Sequence, residues 1–261
     1  MRYEEFLERL PALFDGWGTA GARPTDGRFA ALAAALPCFS AAGTLQVLNL
    51  AVALLDPGEV YCEAGVYRGC TLVGALTGND GARALALEDF SQFDGGRAGL
   101  ERNLERFGVR DRVELAGVPF ERHFLERGPE PPAGVYFYDA AHDYRSQLLG
   151  LLLAVPFLAE RALIVVDDAN WAAPRQAVAD FCACRPEARL ALALPTPAVD
   201  HPTFWNGLQV LTWERTADRA GRHGRLVAQS EPGFVDHLHA AGFQYERRAG
   251  RIPAGHLPTD S

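Results

Sequence analysis

The chain has 261 residues, 48% of them hydrophobic, and a formal net charge of −8. That length predicts one large domain, or one domain with an extension, with enough apolar content to form a core without disulfides. The negative charge is spread along the chain and argues against nucleic acid as a partner, because neutralising a phosphate backbone needs a basic face.

Residues 1–56 read as helical. Phe6, Leu7, Leu10 and Phe14 fall on one face at helical spacing. A Gly/Pro-containing break runs from Gly16 to Gly27, and Phe29, Leu32 and Leu36 continue on a second helix. A third helix runs from Gly43 to Leu55, and Asp56-Pro57-Gly58 is a turn signal. This segment is expected to cap the pocket or to form a dimer contact.

From residue 59 strands and helices alternate. Val60–Val66 reads as a strand, followed by a tight loop and a helix from about Arg68 to Thr77. Ala84–Phe90 is a second strand, with a helix over Gly96–Phe107 that stops at Gly108. Val113–Val118 is a third strand, and a short helix spans Glu121–Glu126. Val135–Ala140 precedes a helix over Gln147–Ala154, and Ala162–Asp168 precedes one over Pro174–Cys184. Arg189–Leu194 and Phe204–Glu214 read as the last two strands. Such alternation predicts a parallel α/β sheet with helices on both faces. The short Pro195–Pro202 link leaves no room for a helix, so its two strands must be antiparallel. The fold class expected is a Rossmann-like, mostly parallel seven-stranded sheet with an antiparallel last strand. The expected division is an N-terminal helical extension (1–56), a core (57–215) and a C-terminal extension (216–261).

Ligands of such sheets bind beyond the carboxyl ends of the strands. Glu63, Gly65, Tyr67 and Gly69 lie in a Glu-x-Gly-x-x-x-Gly loop after the first strand. This spacing is not the dinucleotide fingerprint Gly-x-Gly-x-x-Gly. Glu88, with Asp89 next to it, ends the second strand and is placed to accept hydrogen bonds from ribose hydroxyls; its bland alternative is a helix cap or a surface acid. Ser91, Gln92 and Phe93, with Gly117 and Val118, are candidates to line an adenine pocket. Asp139, Asp167 and Asp168 end adjacent strands, and three hard oxygen ligands suit Mg²⁺; the bland alternative has Asp168 capping a helix and Asp139 ordering its own loop. His142, three residues beyond Asp139, is a candidate base for a substrate hydroxyl. Trp171 and Trp205 are candidates to wall the substrate side, or else belong to the core.

All 25 basic residues are arginine, so no lysine can serve as base, Schiff-base former or phosphate ligand. The five cysteines are odd in number and include no Cys-x-x-Cys pair, which argues against a disulfide framework or a zinc site. Cys62 and Cys70 read as small buried hydrophobes. The charged start Met1-Arg-Tyr-Glu-Glu-Phe6 does not read as a signal peptide. No apolar run reaches the ~18 residues of a membrane span, so a cytoplasmic setting with no membrane partner is expected.

The motifs Tyr61-Cys-Glu-Ala-Gly-Val-Tyr-Arg-Gly69, Leu87-Glu-Asp-Phe90, Tyr138-Asp-Ala-Ala-His-Asp-Tyr144 and Val165-Val-Asp-Asp168 resemble those of class I S-adenosylmethionine-dependent methyltransferases. Within that class the chain is most similar to small-molecule O-methyltransferases of the metal-dependent catechol type and the macrolide-sugar type. The resemblance implies that Glu63 and Gly65 lie against the methionine part of the cofactor and that Glu88 takes the ribose hydroxyls. It implies Mg²⁺ on Asp139, Asp167 and Asp168. Catechol-type enzymes have a lysine base three residues after the first metal acid, where this chain has His142. The function implied is methyl transfer to a small hydroxylated molecule, Mg²⁺-assisted, as in secondary metabolism; a homodimer or higher homo-oligomer is one arrangement open to the chain. The alternatives are a metal-independent methyltransferase with His142 as sole base, a nicotinamide enzyme, or a non-catalytic protein that binds a nucleotide cofactor.

Overall fold

The computed structural model describes residues 1–93, 96–127 and 131–215. The expected C-terminal extension, 216–261, lies outside the described residues. The first 56 residues form α1 (Tyr3–Arg9), α2 (Arg28–Ala35) and α3 (Ala42–Ala53). The Gly/Pro break holds more than a loop: β1 (Phe14–Asp15) pairs antiparallel with β2 (Arg23–Pro24).

The main sheet contains β3 (Val60–Ala64), β4 (Ala84–Leu87), β5 (Val113–Ala116), β6 (Ala133–Tyr138), β7 (Leu158–Val166), β8 (Ala188–Leu194) and β9 (Leu208–Glu214). Its order is β5-β4-β3-β6-β7-β9-β8, with β9 antiparallel to both neighbours. This is the seven-stranded, mostly parallel sheet with an antiparallel last strand that the short Pro-rich link predicts.

Alternation along the strands sends successive side chains to opposite faces. Tyr61, Val135, Phe137, Leu163 and Val165 face a core shared with α1 to α3, α4 (Cys70–Leu76) and α5 (Arg97–Arg106). Cys62, Tyr136, Tyr138, Ile164 and Val166 face α6 (Phe120–Glu126), α7 (Tyr144–Ala154) and α8 (Ala172–Cys184). Both faces of the sheet are thus covered, as parallel strands require. The N-terminal helices belong to the first of these cores. Asn49 on α3 donates to the carbonyls of Gly74 and Thr77, at 2.9 and 2.8 Å, and so ties α3 to the end of α4.

The chain leaves β3 in one direction toward β4 and in the other toward β6. At such a switch point the loops diverge and open a crevice. Gly65 holds that crevice open to the backbone. Its φ is +84°, and a Cβ there would overlap the carbonyl of Asp139 at the end of β6. Only glycine accepts both constraints without strain.

Candidate active site

A cavity of about 710 Å³ opens over the carboxyl ends of β3, β4, β6 and β7. Its roof is completed by the Pro37–Ser40 loop, the start of α6 and the link between β8 and β9. Of the sequence candidates, Gly65, Tyr67, Glu88, Asp89, Ser91, Gln92, Asp139, His142, Asp167 and Asp168 line it.

Glu63, Gly69 and Val118 are not among the lining residues. Glu63 is fully buried beneath the floor, where it accepts hydrogen bonds from the Tyr61 hydroxyl and the Thr71 hydroxyl, both at 2.6 Å. Burial pushes its pKa up to about 8, against the lowering effect of these two donors. Gly69, at φ +84°, starts α4 and packs close to Leu100. Val118 is half-buried, and the neighbouring wall is made by Pro119, Phe120 and Glu121.

The Glu88 carboxylate clamps the loop after β3. One oxygen accepts from the Val66 and Tyr67 amides, at 2.9 and 2.7 Å, and the other accepts from the Phe90 amide at 2.9 Å. A carboxylate offers about four acceptor positions, so little capacity remains for ribose hydroxyls while this clamp is closed. Asp89 accepts from the Ser91 amide at 2.8 Å and orders the turn that carries Ser91 to Phe93.

The acids at the ends of β6 and β7 do not converge as three equals. Asp167 continues the strand register, its amide donating to the Tyr138 carbonyl at 3.1 Å. Asp168 then turns out of the strand with φ +56°. Its carboxylate accepts from Asn206 Nδ2 at 2.6 Å and lies 2.7 Å from His142 Nε2. The carboxyls of Asp139 and Asp167 lie close enough to repel each other when both are ionised. Burial first, and then the repulsion of neighbouring carboxylates, raises both well above the usual carboxylate range.

Ligand atoms of Asp139, His142 and Asp168 lie within 4.8 Å of one another, and among the described residues this is the group able to hold a metal ion. The geometry therefore brings His142 to the cluster together with Asp139 and Asp168, with Asp167 behind Asp139. One Asp167 oxygen is buried without a partner. The unpartnered buried Asp167 oxygen beside Asp139 and Asp168 fits a divalent cation, and a set of carboxylates with one imidazole admits Mg²⁺, Mn²⁺ or Zn²⁺.

His142 is held on two sides: Asp168 contacts Nε2, and Trp171 meets the ring edge-on at 5.4 Å between centroids. The contact to Asp168 orients the ring through Nε2, while Nδ1 is buried without a partner in the protein.

Three participants escaped the sequence reading: Asn206, Glu121 and Phe39. Asn206 is fully buried against Asp168, and its only signal in the sequence is the Asn206-Gly207 turn dipeptide. Glu121 lines the cavity from α6, and burial pushes its pKa up to about 7. Phe39 comes from the loop before α3 and packs on Tyr67 at 5.0 Å.

The expectation against disulfides is corrected here. Cys38 and Cys70 are bridged across 32 residues, tying the Phe39 loop to the start of α4. An odd cysteine count and the lack of a short motif carry no information about two residues that meet only in the fold. Titration under denaturing, non-reducing conditions should find three free thiols, those of Cys62, Cys182 and Cys184. Reduction should cost about 3–4 kcal/mol of stability, the chain-entropy value for a loop of this length. Five free thiols in freshly purified, unreduced protein would contradict the bridge.

Residues 62–169, from β3 through the end of β7, match the family model described as "Methyltransferase domain". That stretch of the chain is similar to a methyltransferase domain. No curated protein matches it. Among solved structures, the chain is similar to cofactor-bound Rv0187 from MTB, with 21% identity, a TM-score of 0.56, and 82% of this chain and 97% of that one covered. It is also similar to an O-methyltransferase from Bacillus cereus in complex with SAH, with 19% identity, a TM-score of 0.54, and 80% and 100% of the two chains covered. A third is the O-methyltransferase TomG from Streptomyces achromogenes, involved in tomaymycin synthesis and solved with SAM, with 17% identity, a TM-score of 0.55, and 80% and 99% covered. At these identities the likeness is one of fold.

Proposed function

We propose that the chain is a methyltransferase that uses S-adenosylmethionine to methylate a hydroxyl of a small molecule, with a divalent cation at the acid cluster and His142 as the base. The single observation that carries this reading is the cavity itself. The Gly65–Tyr67 loop and Glu88 stand on one side of it, and Asp139, His142 and Asp168 stand across the floor.

In this reading Gly65, Val66 and Tyr67 would hold the methionine part of the cofactor, Asp89 to Gln92 its adenine, and Glu88 its ribose through the one acceptor position that the clamp leaves. When bound, it supplies an electrophilic methyl group. A cation held by Asp139 and Asp168 would lower the pKa of the acceptor hydroxyl. Asp168 fixes the imidazole ring of His142, Asn206 fixes Asp168, and the imidazole would take the hydroxyl proton. The walls hold the acceptor oxygen in line and exclude water, which is the larger part of catalysis in a direct displacement.

The division into an N-terminal helical extension, a core and a C-terminal extension over 216–261 remains part of this proposal, as does a cytoplasmic setting. No helix among the described residues is long and apolar enough to cross a membrane.

The second reading, metal-independent transfer with His142 as sole base, draws on the 2.7 Å contact between His142 and Asp168, which orients the base without any ion. Chelation separates the two. Methyl transfer should stop in EDTA and return with added Mg²⁺ or Mn²⁺, whereas full activity in metal-free buffer would remove the cation from the account.

A further inference from the structure

The Cys38–Cys70 bridge stands at a place where methyl transfer itself has no use for one. Both cysteines line the cavity. Cys70 is the first residue of α4 and directly follows Gly69, the last glycine of the loop after β3. Cys38 belongs to the Pro37–Ser40 loop that completes the roof. The bridge is therefore a covalent tie between the roof of the cavity and the loop assigned above to the methionine part of the cofactor.

Little else holds that part of the roof. Among the described residues, no backbone hydrogen bond involves Pro37, Cys38, Phe39 or Ser40. The Ser40 hydroxyl is buried without a partner. Ring contact remains: Phe39, 51% exposed, stands 5.0 Å from Tyr67 and 5.4 Å from Phe93 between centroids. Tyr67, which Phe39 covers, has φ +50°, a left-handed backbone that persists only where its surroundings impose it. A segment with so few hydrogen bonds opens locally at small cost, while Leu36 and Ala41 on either side stay anchored in the core. Cutting the bridge thus frees the roof loop and leaves the fold intact.

The two sulfurs are unequally placed for exchange. Cys70 is 5% exposed, while Cys38 is half-buried. An incoming thiolate has its access at Cys38, so the S–S bond breaks with Cys70 as the leaving thiolate. A dithiol reductant completes the reaction. Its second thiol displaces Cys38, its own two sulfurs join, and two electrons and two protons pass to the protein. None of the three free thiols is placed to compete: Cys62 and Cys182 pack on the opposite face of the sheet, and Cys184 is exposed at the end of α8. In the cytoplasmic setting proposed above, lasting bridges are rare, and those that form are usually transient and catalytic or redox-sensing.

We propose that Cys38–Cys70 is a thiol–disulfide exchange site, opened by a dithiol reductant, whose state sets the affinity of the cavity for its cofactor. With the bridge closed, the roof is pinned over the loop after β3 and the cofactor binds tightly; with the bridge open, the roof is free and the cofactor binds weakly. This rests on the cofactor reading of the cavity and adds a regulation to it. The closed bridge holds Phe39 on Tyr67 before any ligand arrives, so the loss of loop freedom is already met. Once the bridge is cut, that loss falls on binding. Linkage makes the effect reciprocal: a cofactor that prefers the oxidised form makes the bridge harder to reduce by the same factor.

Calorimetry on the full chain with S-adenosylhomocysteine, before and after treatment with dithiothreitol, reads the switch at a temperature where circular dichroism shows the reduced form still folded. Free thiols should rise from three to five on reduction. Binding should weaken about tenfold and recover on reoxidation. Cys38→Ser, which cannot close the bridge, should bind as the reduced form does, with or without dithiothreitol. Saturating S-adenosylhomocysteine should lower the reduction potential of the bridge by about 30 mV, the equivalent of tenfold for a two-electron couple. Affinities of the two forms within twofold of each other, or a bridge that dithiothreitol cannot open in the folded protein, overturn the proposal and leave a purely structural bridge. If neither form binds S-adenosylhomocysteine, the cofactor reading fails instead. Hydrogen exchange on the free protein then still scores the release of the roof: the amides of Phe39, Ser40 and Tyr67 should exchange at least tenfold faster after reduction, and equal rates overturn it.

Discussion

His142→Ala lowers kcat by about 10²–10⁴-fold, the range for loss of a positioned general base, while KM for the acceptor changes little. The expectation rests on the geometry at Nε2. With Asp168 2.7 Å away and itself fixed by Asn206, the ring is held in one orientation at the cavity wall. Asp139→Asn should lower activity to a similar degree and also abolish the response to Mg²⁺, since it removes a carboxylate from the floor of the site. Thermal melts of both variants should stay near that of the parent protein, because neither side chain belongs to the apolar cores. A His142→Ala enzyme within threefold of the parent kcat would show that another group takes the proton.

Glu63→Gln stabilises the protein at pH 8 by about 3–5 kcal/mol relative to its effect at pH 4.5 or below, at about 1.4 kcal/mol per unit of pKa shift. The sign follows from the direction of the shift. Burial raises Glu63 in the folded chain to about 8, above its ordinary value of 4.5. Between those two pH values the folded state therefore holds a proton that the unfolded chain has lost, and stability falls as pH rises through the window. Above the folded value the penalty is complete, and below the unfolded value it is absent. A glutamine has the size of the protonated acid; its carbonyl oxygen accepts from one of the two hydroxyls and its amide N–H can donate to the other hydroxyl's oxygen, so the substitution removes the pH slope and leaves the packing. Urea unfolding of both proteins at pH 5 and pH 8 measures the difference directly. Asp139 and Asp167 are shifted the same way and contribute to the slope of both proteins, so the difference between the two proteins isolates Glu63. Equal slopes for parent and variant would mean that Glu63 is ionised in the fold.

The frame of this site was legible in the chain because strand ends are legible. Apolar runs that stop at Gly65, Glu88, Asp139 and Asp167 put those residues over one edge of a parallel sheet, and the short Pro-rich link required an antiparallel partner for β8. The detail that decides the chemistry was not legible. Asp167 and Asp168 are neighbours of one type, and only the left-handed turn at Asp168 shows which of them meets His142. Asn206 and Phe39 reach the site from far along the chain, where local spacing says nothing about contact. The Cys38–Cys70 bridge escaped for the same reason. Glu63 shows the reverse case: its position at a strand end is as read, yet its side chain turns beneath the floor, because Tyr61 and Thr71 offer it two hydrogen bonds there.

Calorimetry with S-adenosylhomocysteine tests the central claim most directly, since every assigned role depends on what occupies the cavity beside Gly65 and Glu88. The account predicts one molecule bound per chain, affinity reduced at least tenfold by Glu88→Ala, which opens the clamp on Val66 and Tyr67, and no binding of NAD. Binding of NAD with none of S-adenosylhomocysteine would contradict it.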